Sequence, residues 1–235
     1  VLIPLRDHNP RERFPVVTLL LVVANVLVFL YELSLGPRGQ QLLAQTAGAI
    51  PYEIVNHVDL RPLSRIPWPA TIWTSMFLHG GFMHVIGNMW FLWLFGDNVE
   101  DAMGPVRYLF FYFVVGTVGA LTQILVMPSS SAPMIGASGA VAGALGAYAL
   151  LYPHARIVTL IPIPFLWPTI EVRAWIFLAL WFVGQFLLEA GSNVVWMAHV
   201  GGFIAGLGLA RLLARRREPR AVEAEYIPPP GRRRW

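Results

Sequence analysis

The feature that most constrains this chain is a series of apolar runs, each near the roughly 20 residues a helix needs to cross a bilayer. Hydrocarbon offers no water to backbone N–H and C=O groups, so such runs fold as helices that close their hydrogen bonds internally. Six spans are predicted, at 15–35, 81–101, 106–127, 136–152, 174–190 and 194–213. Turn-forming or polar segments separate them: Gly36-Pro37, Gly104-Pro105, the stretch MPSSSAP at 127–133 and EAGSN at 189–193. Composition agrees, because 13% charged residues is about half the share of a typical soluble domain. That is too little polar surface to coat a globule in water. The expected fold is therefore all-α, a polytopic membrane protein built as a six-helix bundle. Three regions follow: an N-terminal cytoplasmic segment at 1–14, the membrane domain at 15–213, and a basic, proline-rich cytoplasmic tail at 214–235, expected to be disordered.

Charge sets the expected orientation. All 17 cations are arginine. With both termini cytoplasmic, 14 of them fall inside and 3 outside (Arg38, Arg61 and Arg65), all in the single long loop 36–80. This asymmetry satisfies the positive-inside rule. The arginines from Arg211 onward are read as a cytoplasmic flank rather than a nucleic-acid surface. The first apolar run leads to no small-residue cleavage site and is read as a retained helix. Trp68 and Trp73 suit the long loop to the interfacial layer, where aromatic rings are favoured. Cysteine is absent, so thiolate chemistry is excluded, and no His-Glu-x-x-His zinc motif occurs. No metal or cofactor is expected. The spans lack the paired acidic residues or broken repeats of a transporter.

Polar side chains inside spans are costly unless paired or functional. Three groups qualify. Gly136-Ala137-Ser138-Gly139 opens the fourth span. A serine attacks only with a base beside it, and the unpaired N–H groups of a helix start can support an oxyanion. By itself such a group is more often a helix cap among packing residues. His199, in AHVGG at 198–202, can act as a general base, or serve packing alone. Ala198, Gly202 and Gly206 form a small-residue face at spacing four, and Gly139, Gly143 and Gly146 offer one on the fourth span. Such faces let helices approach closely, as a short Ser138–His199 contact requires. In the second span, His84 and Asn88 at i, i+4 share one face. Both are donors suited to an oxyanion, or simply to helix–helix hydrogen bonds. No acidic residue stands out to orient His199, and Glu189 is assigned no role, so a dyad is expected rather than a triad.

Taken together, these stretches resemble the rhomboid family of intramembrane serine proteases. The resemblance runs through TSMFLHGGFMHVIGNMWFLWLFGDNVEDAMG (74–104), GASGAVAGALGAY (136–148) and AHVGGFIAG (198–206), and covers about residues 15–213. It implies a Ser138 nucleophile, a His199 base, and an oxyanion hole of Asn88, His84 and the Ser138 backbone N–H. It further implies transmembrane protein substrates within a lipid bilayer, a multi-pass location such as a bacterial inner membrane, and no cofactor or nucleic acid. Two positions depart from the family pattern. A Trp-Arg pair common in the first loop reads Ala70-Thr71, and the often aromatic position four after the nucleophile is Ala142. The rival reading, a non-catalytic rhomboid-like protein that binds membrane clients, would tolerate loss of Ser138 or His199.

Overall fold

Nine α-helices and three short strands are found among the residues that the computed structural model describes: 2–60, 66–163, 166–188 and 195–214. Six helices occupy the six predicted spans: α1 (Val16–Ser34), α5 (Phe82–Met103), α6 (Pro105–Val126), α7 (Ser138–Leu151), α8 (Ala174–Leu188) and α9 (Trp196–Leu213). Of these, α1, α6 and α9 are long and apolar enough to cross a membrane, while α7 and α8 are shorter apolar helices. Helix α5 carries Asp97, Glu100 and Asp101 near its end. Arg61, Arg65, Glu189 and the tail from 215 lie outside the described residues.

The burial pattern inverts that of a soluble protein. Leu20, Leu27, Phe110, Leu125, Leu187 and Leu212 are exposed, whereas Thr18, Asn25, Glu32, Asn88, Gln123 and Gln185 are buried. A continuous apolar exterior of this kind is stable only against lipid, and the protein is integral to the membrane. Aromatic rings fill the interior, with Tyr108, Tyr112, Tyr148, Phe95 and Phe111 fully buried.

The tightest joint lies between α7 and α9. A Cβ added at Gly202 would fall on the Gly139 carbonyl oxygen, one at Gly206 on that of Gly143, and one at Gly146 on that of Phe203. The two predicted small-residue faces therefore meet backbone to backbone. Helix α6 closes the third side, with Val115 against Gly143 and Thr122 against Gly201. Gln123 on α6 accepts a hydrogen bond from the Met197 N–H (3.1 Å) in the first turn of α9. It satisfies one of the donors that a helix start leaves unpaired.

At the opposite end of α5, Glu100 performs the same service for α1. Its carboxylate accepts from Val17 N (2.9 Å), Thr18 N (2.7 Å) and Thr18 Oγ1 (2.8 Å). Pro15, the residue before α1, has no side-chain donor or acceptor to cap it, so a distant helix supplies the cap. Helices α5 and α6 meet at Gly104, whose φ of 81° is left-handed, and Pro105 begins α6. Proline fits there because the first turn needs no N–H from it.

Two regions hold structure beyond the six spans. The long loop folds into α2 (Gly36–Ala47), α3 (Pro51–Asn56), α4 (Trp68–Thr74) and a 3-10 turn (Ser75–Phe77). The segment before α1 forms β1 (Ile3–Asp7), which pairs antiparallel with β2 (Arg156–Leu160), itself antiparallel to β3 (Thr169–Arg173). Asp7 then receives the Tyr148 hydroxyl (2.5 Å) and the Asn98 amide (3.1 Å). This small sheet seals one end of α5 and α7.

The joint between α7 and α9 generates a stability prediction. Gly206→Val puts a branched side chain on the Gly143 carbonyl, and overpacking of this kind costs about 1–3 kcal/mol or more. Denaturant unfolding in detergent should show that loss, while Gly208→Val, where an added Cβ meets nothing within 4 Å, should stay near wild type.

Candidate active site

Ser138 is the first residue of α7, as its sequence neighbourhood predicts. The loop leading to it is braced from both sides. Met134 and Ala49 exchange backbone hydrogen bonds (2.8 and 3.0 Å), and the Gly136 N–H donates to Ser75 O (2.9 Å). The first loop thus holds the serine loop through its own backbone. Gly136 has a φ of 126°, and a Cβ there would sit 2.7 Å from His84 Nε2 and 3.7 Å from Ser138 Oγ. Glycine is required at this position on both counts.

The same contact locates His84. Its Nδ1 faces the Gly80 N–H at 3.4 Å, so Nδ1 acts as acceptor and the proton resides on Nε2, the edge turned toward Gly136 and Ser138. One turn further along α5, Asn88 is buried, and its Nδ2 has no hydrogen-bond partner among the described residues. A buried amide donor without a partner is expensive. It lines the same cavity as Ser138.

His199 sits in the first turn of α9. Its Nδ1 lies 2.6 Å from Oε1 of Gln185 on α8, and Trp181 lies against its ring with centroids 6.2 Å apart. One cavity of about 510 Å³ is lined by Ser138, His199, His84, Asn88 and Gln185, together with Trp181, Met83 and Pro133. Every predicted site residue therefore opens onto one space, although they come from three separate helices. Gln185 and Trp181 were not singled out in the sequence. The signal is Gln185 itself, the one polar side chain in AWIFLALWFVGQFLL, an amide where an orienting group is more usually a carboxylate. Ala142 is fully buried in α7, and the aromatic neighbour of His199 comes from α8 instead.

A second histidine stands behind the first. His79 is buried, meets His84 edge to face at 5.1 Å, and has no ring hydrogen-bond partner among the described residues. Its backbone N–H donates to the Glu32 carboxylate of α1 (3.1 and 3.2 Å). That contact anchors the His79-Gly80 turn, and Gly80 in turn fixes His84.

Residues 68–216 match the Rhomboid domain. The chain belongs to the rhomboid family. All five polar residues lining the cavity fall within the matched family region. RHOMBOID-like protein 5 of Arabidopsis thaliana is 31% identical over 66% of this chain and 48% of its own length. Rhomboid protein 1, mitochondrial, of Saccharomyces cerevisiae is 33% identical over 57% of this chain and 38% of its own. Rhomboid protease GlpG of Salmonella choleraesuis is 27% identical over 85% and 64%. The chain spans about half or less of the length of the plant and yeast relatives.

Burial lowers the His79 pKa from 6.5 to about 4, and the neighbouring His84 adds to the shift. The folded state thus favours neutral His79, so its contribution is complete above pH 6.5 and lost as pH falls toward 4. At 1.36 kcal/mol per unit, that loss is about 3 kcal/mol. His79→Phe keeps a ring and cannot be protonated. Unfolding measured from pH 7.5 to 4 should show the variant losing less stability than wild type by about that amount.

Proposed function

We propose that this protein is an intramembrane serine endopeptidase that cleaves transmembrane segments of other membrane proteins through a Ser138–His199 dyad. The observation that carries this reading is the single cavity shared by Ser138, His199, His84 and Asn88. A nucleophile, an imidazole and two donors converge there, and those are the parts that acyl transfer needs. Two relatives are named as rhomboid proteases, one from Bacillus subtilis and one from Salmonella choleraesuis, in agreement with it.

The chemistry follows from the parts. A substrate helix hides its carbonyls in its own hydrogen bonds, so it must unwind locally to present one to Ser138. Helices α5 and α8, with the loop before α7, form the side through which it enters. His199 takes the Ser138 proton as Oγ attacks the scissile carbonyl. The oxyanion is received by Asn88 Nδ2, by His84 Nε2–H and by the Ser138 backbone N–H at the start of α7. His199 then protonates the leaving amine as the tetrahedral intermediate collapses to an acyl-enzyme. Water reaching the cavity hydrolyses that ester, with His199 again as base. This reading puts the protein in a bacterial inner membrane, and the arginine distribution supports the orientation that goes with it, both termini cytoplasmic.

The purified protein in detergent or proteoliposomes should cleave a model transmembrane substrate, and Ser138→Ala should abolish cleavage. A fluorophosphonate should label Ser138 in the wild type and fail to label His199→Ala. Asn88→Ala should lower kcat by about 100- to 1000-fold, the usual effect of removing one oxyanion donor. A Ser138→Ala protein that cleaves as fast as wild type overturns the mechanism.

A further inference from the structure

The contact between Gln185 and His199 carries more information than its length. A glutamine amide can be placed either way round, because its oxygen and nitrogen differ little in shape. Here a second contact settles the choice. Gln185 Nε2 lies 3.3 Å from the backbone carbonyl of Trp181, one turn earlier on α8. A carbonyl only accepts, so the group facing it must be the NH2. The oxygen is therefore the atom 2.6 Å from His199 Nδ1. An amide oxygen also only accepts, so Nδ1 must carry a proton. In the neutral ring the lone pair then belongs to Nε2, the nitrogen a base would use on Ser138.

We infer that Gln185 is a positioning residue that fixes His199 in the Nδ1–H tautomer and holds its ring for proton abstraction. The inference rests on the proposed protease function and deepens it: the working unit is Ser138, His199 and an amide in the place where other serine proteases carry a carboxylate. An amide is adequate there. Cysteine proteases with a Cys-His-Asn arrangement orient their imidazole in the same way, whereas an orienting group that imposes the wrong tautomer costs a trypsin-type enzyme about 10⁴ in kcat. The depth of the site favours the neutral group, since a buried carboxylate carries a desolvation penalty that an amide does not. Gln185 is itself 5% exposed, so water does not compete for its oxygen.

The arrangement has a consequence for substrate binding. Ser138, His199, His84 and Asn88 stand on α5, α7 and α9, but the orienting amide stands on α8, the helix beside which a substrate enters. Exposed Trp175, Leu180, Val183, Phe186 and Leu187 leave much of α8 uncovered by protein. The acceptor for His199 therefore depends on where α8 packs and not on the α7–α9 joint.

The test compares full-length wild type, Gln185→Leu and Gln185→Glu. Gln185→Leu removes the acceptor at similar volume and should lower kcat about 10- to 100-fold, within the range of a general-base contribution, with KM within about twofold. Fluorophosphonate labelling of Ser138 should fall in parallel. Gln185→Glu restores an acceptor at the same volume, with the desolvation cost of a buried carboxylate, and should recover part of the rate, while the tautomer below separates this role from a purely structural one. Nitrogen NMR of 15N-histidine protein, with the His199 signals assigned by their loss in His199→Ala, should show a protonated Nδ1 and a bare Nε2 in wild type. Gln185→Leu should show a mixture. If Gln185→Leu cleaves at the wild-type rate, or if wild-type His199 carries its proton on Nε2, the inference fails and the protease reading stands. A wild-type protein that neither cleaves nor labels overturns both.

Discussion

Everything in this molecule is arranged around the direct backbone contact of α7 with α9. In lipid the hydrophobic effect does not drive helices together, so association depends on close van der Waals packing and on hydrogen bonds. Gly202 against Gly139, and Gly206 against Gly143, bring two backbones to a separation that no side chain would permit. Because Ser138 opens α7 and His199 lies in the first turn of α9, this packing also sets the distance between them. One set of glycines therefore serves stability and chemistry together.

Around that joint, helix ends are satisfied by side chains from elsewhere in the chain. Gln123 of α6 caps α9, Glu100 of α5 caps α1, and Glu32 of α1 receives the His79 N–H ahead of α5. Each polar group is buried, and each would be a liability alone. Paired, they fix the helices relative to one another along their axes, which apolar packing controls poorly. The site inherits that rigidity: Glu32 holds the turn that holds His84, and Gln123 holds the turn that carries His199. The histidines that α5 and α9 bring to the cavity, His84 and His199, are thus each braced from a helix other than their own.

Much of this was legible beforehand. The six spans coincide with six helices to within a few residues, because long apolar runs have one dominant solution in a bilayer. The small-residue faces were visible as a spacing of four, and they meet as that spacing suggests. The sheet was not legible. RIVTL and TIEVR are rich in β-branched residues, which suit strands, but β1 pairs with a partner some 150 residues away, and no local pattern reports such a pairing. Gln185 escaped for a different reason. Its value lies in which atom faces His199, and that is decided by the Trp181 carbonyl and by where α8 settles against α9.

The amino-acid sequence by itself determined the solvent this protein lives in, where its apolar helices fall along the chain, and the residue types able to do chemistry at Ser138, His199, His84 and Asn88. Those properties follow from composition and spacing, which act locally along the chain. Tertiary structure alone decided that the four side chains open onto one cavity, that Asn88 is left without a partner beside Ser138, and that an amide rather than a carboxylate stands behind His199. These depend on how separate helices dock, and docking is set by shape and by the pairing of buried polar groups across long stretches of chain.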